Sequence, residues 1–144
     1  MNSMIRLLLA ATLFWSWFSP AAAQEVEASD MVRGGMLAIQ MIDQGKAGEL
    51  WDGATPATRK RVTRADFTGQ VARSRAPIGA PQMRTWVAVN RQVVADADSE
   101  TAGQYVSVEY ETRFANKPDG TLRELVSFHL DSDRVWRFSG YVLK

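Results

Sequence analysis

Helical patterning early in the chain and strand patterning later predict an α+β fold: N-terminal helices packed on one face of a curved four-stranded antiparallel meander sheet. Three observations carry this reading. Residues 104–114 alternate, with Val106, Val108, Tyr110, Thr112 and Phe114 on one side and Tyr105, Ser107, Glu109, Glu111 and Arg113 on the other. A period of two with a single apolar side marks a strand whose other face meets water. Turn residues, led by Asn116, Pro118, Asp119 and Gly120, separate the strand segments and suit short reversals. Residues 29–44 instead bring Met31, Ala38 and Ile42 near one face, widened by Met36, Ile39 and Met41, as a helix does.

The chain opens on a different kind of segment. Arg6 is the only charge in residues 1–24, residues 7–18 form a short apolar run, Pro20 breaks it, and Ala21-Ala22-Ala23 fits the small-x-small cleavage rule. Residues 1–23 therefore read as a cleavable signal peptide, cut after Ala23. The run is shorter than the roughly 20 residues that span a bilayer. No transmembrane anchor is expected after cleavage, and the protein is expected in the periplasm or secreted. Zero Cys excludes a lipoprotein anchor, disulfides and thiol chemistry. Removing residues 1–23 leaves 121 residues with 16 basic and 16 acidic side chains, enough for one domain of near-zero net charge.

In the first helix, residues 29–44, Ser29 or Asp30 is the expected cap. Gly34-Gly35 costs about 1 kcal/mol each against Ala and reads as a close-packing notch. Gly45 is the expected stop. Residues 47–51 suggest a short second helix with Trp51 turned inward. Thr55-Pro56 reads as a cap followed by Pro at the first helical position. Thr63-Arg64-Ala65-Asp66 resembles a capping box and opens a helix to about Ala76 that buries Phe67, Val71 and Ser74. Pro77 and Gly79 end it.

The first strand, residues 84–94, is expected to carry Trp86 or Val87 to the core. After the loop at 96–103 and the strand already described, residues 122–130 set Leu122, Val126, Phe128 and Leu130 on one side. Glu124 interrupts that stripe and predicts a wet strand end. The last strand, residues 134–143, is expected to place Trp136, Phe138 and Val142 on one face, with Gly140 marking a bulge or a close backbone approach.

Several blocks together resemble a known family. They are Ser74-Arg75-Ala76-Pro77-Ile78-Gly79 with Arg84, Gly103-Gln104-Tyr105-Val106, Tyr110-Glu111-Thr112-Arg113-Phe114-Ala115-Asn116-Lys117, and Trp136-Arg137-Phe138-Ser139-Gly140-Tyr141 with Lys144. In this order they resemble the bacterial exported family called domain of unknown function 4019, over residues 28–144 read as a single domain. The resemblance implies a small cone-like fold similar to the nuclear transport factor 2 and cystatin-like groups. It implies no activity. Asp131-Ser132-Asp133-Arg134 stands where an Asp-Gly turn is expected before the Trp.

Candidate site residues divide into three groups. Arg59, Lys60, Arg61, Arg64, Arg73 and Arg75 form a basic cluster, read as a solvated face balancing the acidic segment 25–52 rather than as an anion patch. Arg75 and Arg84, singled out by the resemblance, either hold the helix-to-strand corner by pairing with carboxylates or grip a ligand at a cone mouth. Tyr105, Glu109, Glu111 and Arg113 share the wet strand face. Cross-strand pairing with Arg137 or His129 explains that pair of carboxylates better than acid–base catalysis does. His129, the only histidine, reads as an exposed structural residue, since zinc takes three or four protein ligands. Trp51, Trp86, Trp136, Phe67, Phe138 and Tyr110 read as core, or as the lining of an underfilled pocket.

No catalytic residue, metal site or cofactor is expected. Nucleic acid is not an expected partner, because no aromatic residues interleave the basic ones. The reading is a periplasmic or secreted small domain, a non-enzymatic binding or interaction module for an unknown small molecule or an envelope protein, monomer or homodimer. The alternatives are a small-molecule enzyme of the cone-fold type and an envelope structural or stress protein.

Overall fold

The computed structural model describes residues 27–95 and 98–144. The segment read from the sequence as a signal peptide, residues 1–23, lies outside the described residues. Four helices come first: α1 (Ala28–Asp43), α2 (Ala47–Asp52), α3 (Pro56–Arg61) and α4 (Arg64–Arg75), the last followed by a 3-10 turn at Ala76–Ile78. Four strands follow: β1 (Pro81–Val94), β2 (Gly103–Phe114), β3 (Leu122–Leu130) and β4 (Trp136–Leu143). They form one antiparallel sheet in chain order, so β1 and β4 are its edges.

The helix signals act largely as the sequence predicts. Thr63 accepts the Asp66 N–H at 3.1 Å and caps α4. Gly45 takes φ +74 and ends α1. Gly35 is the notch: a Cβ there would lie 2.6 Å from the Tyr110 hydroxyl and 3.2 Å from Val108 Cβ, so α1 rests directly on β2. The N-terminal cap differs. Helix α1 starts at Ala28 with Glu27 before it and no side-chain cap bond, so neither Ser29 nor Asp30 serves. Ser74 is exposed, while Phe67 and Val71 are buried.

The core gathers Ile39, Ile42, Leu50, Phe67, Val71, Val106, Val108, Tyr110, Val126 and Phe138 between helices and sheet. Trp51 and Trp136 pack against it partly buried. Trp86 does not enter it. Strand β1 is an edge, and a bulge between Trp86 and Ala88 makes Val87 an extra residue. Trp86 is 51% exposed and Val87 also faces solvent.

A bulge in β4 decides the site. Ser127 pairs with Gly140 and Phe128 with Phe138, so Ser139 is the extra residue in β4. Such a bulge shifts the side-chain alternation by one residue. Trp136 and Phe138 keep the core side, but Tyr141 then turns inward and Val142 outward, 47% exposed. The expectation of Val142 beside Phe138 is thereby corrected. Gly140 flanks the bulge, and open space surrounds its Cβ position.

Candidate functional site

Behind the helix-to-strand corner four charges meet, with Glu124 buried, Arg75 and Arg84 half-buried, and Asp43 at the exposed rim. Asp43 closes α1, Arg75 closes α4, Arg84 comes from β1 and Glu124 from β3. Arg84 donates from Nε to Glu124 Oε2 at 2.7 Å and from Nη1 to Asp43 Oδ2 at 2.9 Å. Arg75 donates to Asp43 Oδ1 and reaches Glu124 Oε1 at 3.5 Å. Its guanidinium also lies 5.0 Å from the Phe114 ring centroid. Two hydroxyls complete the cluster. Thr112 donates to Glu124 Oε2 at 2.5 Å and Tyr141 to Oε1 at 2.7 Å.

Glu124 is 0% exposed, which corrects the wet strand end. A buried carboxylate is costly unless its lone pairs are used, and here both oxygens accept from two arginines and two hydroxyls. Burial pushes the Asp43 carboxyl up, but hydrogen bonds from Arg84 and Arg75 outweigh this and hold it below its ordinary value. Asp43 sits at the negative end of the α1 dipole, so the arginines also offset an unfavourable placement. Burial, then the charge of Glu124, pushes the Tyr141 phenol upward. All the carboxylate charge of the cluster is matched, and among the described residues the one buried side-chain nitrogen or oxygen without a hydrogen bond is Arg75 Nε.

On the other side of Tyr141 lies an open groove. About 550 Å³ in volume, it runs between α4, which supplies Asp66, Phe67, Gln70, Val71 and Ser74, and the edge of β4. Thr58, Arg61, Ser139, Gly140 and Val142 line it and also a smaller cleft of about 260 Å³ that continues to Thr101, Tyr105 and Ser127. Helix α3 covers only the start of this edge: the Thr55 N–H donates to the Phe138 carbonyl and the Thr58 hydroxyl to the Ser139 carbonyl, each at 2.9 Å. Further along, Arg123 and Lys144 exchange backbone bonds of 2.7 and 2.9 Å. Bonded and non-bonded pairs alternate in an antiparallel ladder. Tyr141 and Leu143 therefore aim their backbone N–H and C=O away from β3, toward the groove.

Comparison with protein families matches residues 35–141 to the family described as Protein of unknown function (DUF4019). The chain belongs to this family. All six residues of the cluster, Asp43, Arg75, Arg84, Thr112, Glu124 and Tyr141, fall inside the DUF4019 match. A comparison with curated proteins finds no match.

Of the residues singled out in the sequence, the structure brings Arg75 and Arg84 together and keeps the others apart from them. Tyr105, Glu109, Glu111 and Arg113 lie on the opposite sheet face. Glu109 accepts from Arg123 at 3.1 Å and Glu111 from Thr121 at 2.7 Å, so the cross-strand partner is Arg123 rather than Arg137 or His129. Arg137 instead grips Asp131 and Asp133. His129 is buried, not exposed. Tyr105 covers its ring at 4.6 Å, and its two nitrogens meet Asp131 at 2.7 Å and the Ala102 carbonyl at 2.8 Å. The basic cluster divides: Arg64 bonds Asp52, Lys60 bonds Glu100, Arg75 enters the interior, and Arg61 stays exposed at the groove. Among the described residues no group of three His, Cys, Asp or Glu side chains is placed to hold a metal ion.

Asp43, Thr112 and Tyr141 escaped the sequence reading. Glu124 left a signal, as the one charge in an apolar stripe. Tyr141 left none, because the bulge that turns it inward is a property of the β3–β4 pairing.

Proposed function

We propose that this DUF4019 protein is an exported, non-enzymatic binding module whose binding surface is the α4–β4 groove. The observation that carries the reading is a contrast between two neighbouring sites. At the corner, Arg75, Arg84, Asp43 and Glu124 are bonded to one another, and the Thr112 and Tyr141 hydroxyls also donate to Glu124, which supports the corner-holding role and leaves no free lone pair on Glu124 for proton transfer. In the groove, exposed Arg61 and two outward backbone positions face open space. The signal-peptide reading of residues 1–23 supplies the compartment.

The test is site-directed photocrosslinking in cells. A photoreactive residue replaces Gln70 in the groove, Gln82 on the β1 edge, or Arg113 on the outer sheet face. A discrete crosslink from position 70, absent from 82 and 113 and lost with Arg61→Glu, is expected. Crosslinks arising only at 82 or 113 would move the binding surface elsewhere.

A further inference from the structure

The groove is bounded by a helix on one side and a sheet edge on the other. We infer that its occupant is an extended peptide segment of a partner protein, which adds to β4 as a fifth strand and brings a carboxylate to Arg61. This rests on the reading of the groove as the binding surface and names what the surface takes.

Three features select this occupant over a compact small molecule. First, the floor is backbone. Tyr141 and Leu143 present their N–H and C=O groups outward, and among the described residues no backbone partner occupies them. A strand supplies donors and acceptors at the matching spacing of two residues, which is the basis of recognition by strand addition. Second, the entry is open. Thr55 and Thr58 of the α3 segment already occupy the Phe138 and Ser139 carbonyls, so addition begins after the bulge. There Gly140 has no side chain, and nothing stands within 4 Å of its Cβ position. Third, the groove carries an exposed cation. Arg61 lines both the groove and its continuation and, among the described residues, has no acid within ion-pair distance, whereas Arg64 and Arg75 are held by Asp52 and Asp43. Asp66, the other charge lining the groove, belongs to the α4 wall.

The opposite edge, β1, is longer, but it carries two bulges, which blunt an edge against pairing. Neither the groove nor the smaller cleft described above is lined by its residues.

The experiment selects a phage-displayed library of random decapeptides on the purified protein. The selected peptide is then titrated by amide-resolved NMR and hydrogen exchange. Binding is expected to slow exchange at the Tyr141 and Leu143 amides and to shift the amides of α4. Leu143→Pro deletes one outward N–H without removing a β3–β4 ladder bond, a substitution that edge strands tolerate. It is expected to weaken binding about tenfold, the worth of one backbone hydrogen bond at its upper end. Arg61→Glu is expected to weaken acidic peptides at least as much and neutral ones less. The inference is overturned if no peptide is enriched, if protection appears on β1, or if both variants bind as the parent does. A groove crosslink from position 70 without peptide enrichment would sink the strand-addition inference alone and leave the binding surface standing.

Discussion

Arg84 Nε and Glu124 Oε2 lie 2.7 Å apart, joining the first and third strands across Thr112 of the second. The Glu124 side chain is 0% exposed and that of Arg84 only 9%. The pair ties the sheet edge to its centre, and Asp43 extends the tie to α1.

Removing one charge from such a group leaves its partner buried and unmatched. Glu124→Gln keeps the shape, but sets two arginines against Asp43 alone and gives Tyr141 or Thr112 a donor where an acceptor stood. A loss of about 3–5 kcal/mol is expected in urea unfolding. Glu111→Gln, on the wet face, is expected to change stability by about 0.5 kcal/mol or less.

Acid sensitivity follows from Asp43. Its carboxyl sits below its ordinary value in the folded protein, so the unfolded chain takes up the proton first as pH falls. Its contribution is fully present above the unfolded value of about 3.9 and is lost as pH drops through the lower folded value. Asp43→Asn is expected to lower stability at neutral pH and to flatten the stability curve below about pH 4. Circular-dichroism melts from pH 7 to pH 2.5 would check it; an unchanged acid limb would assign that limb to other carboxylates.

The Gly35 notch gives a packing prediction. The Tyr110 hydroxyl donates to the Val32 carbonyl at 2.6 Å, and burial pushes its pKa up to about 12. Gly35→Ala puts a methyl against that hydroxyl and is expected to cost about 1–3 kcal/mol. Adding Tyr110→Phe removes the 2.6 Å contact and leaves the milder ones to Val108 Cβ at 3.2 Å and the ring Cε2 at 3.3 Å, so the double substitution should cost less than the sum of the two singles.

The last hairpin turns on a residue ill suited to its conformation. Arg134 has φ +66 without being glycine, in the place where the sequence lacks the Asp-Gly turn. Left-handed backbone costs about 1–2 kcal/mol for such a residue, and glycine gives back part of this through its freedom when unfolded. Arg134→Gly is expected to gain about 0.5–1 kcal/mol. The mirror case is Gly45→Ala at φ +74, where nothing lies within 4 Å, so its loss of about 1 kcal/mol is backbone conformation alone. Paired thermal melts of the two variants would read opposite shifts.

The α+β architecture was legible because it rests on local period and punctuation: the alternation of β2, the turn residues before β3, Thr63 as a cap and Gly45 as a stop. What was not legible depends on pairing. The bulge at Ser139 exchanges Tyr141 and Val142 between faces, and the bulge at Val87 belongs to an edge strand, which leaves Trp86 in solvent. Arg75 and Arg84 were singled out through the family resemblance, but their acids come from positions 32 and 40 residues away, a distance no periodicity reports. His129 lies buried because Tyr105 of the neighbouring strand covers it, which alternation along its own strand does not reveal.

The most direct test of the closed, load-sharing interior is equilibrium urea unfolding of Arg75→Ala. Arg75 touches Asp43, Glu124, Tyr141 and the Phe114 ring, so a loss of about 2–4 kcal/mol is expected. An unchanged unfolding midpoint would contradict the account, because it would mean that Arg75 is held in place for a ligand rather than for the fold.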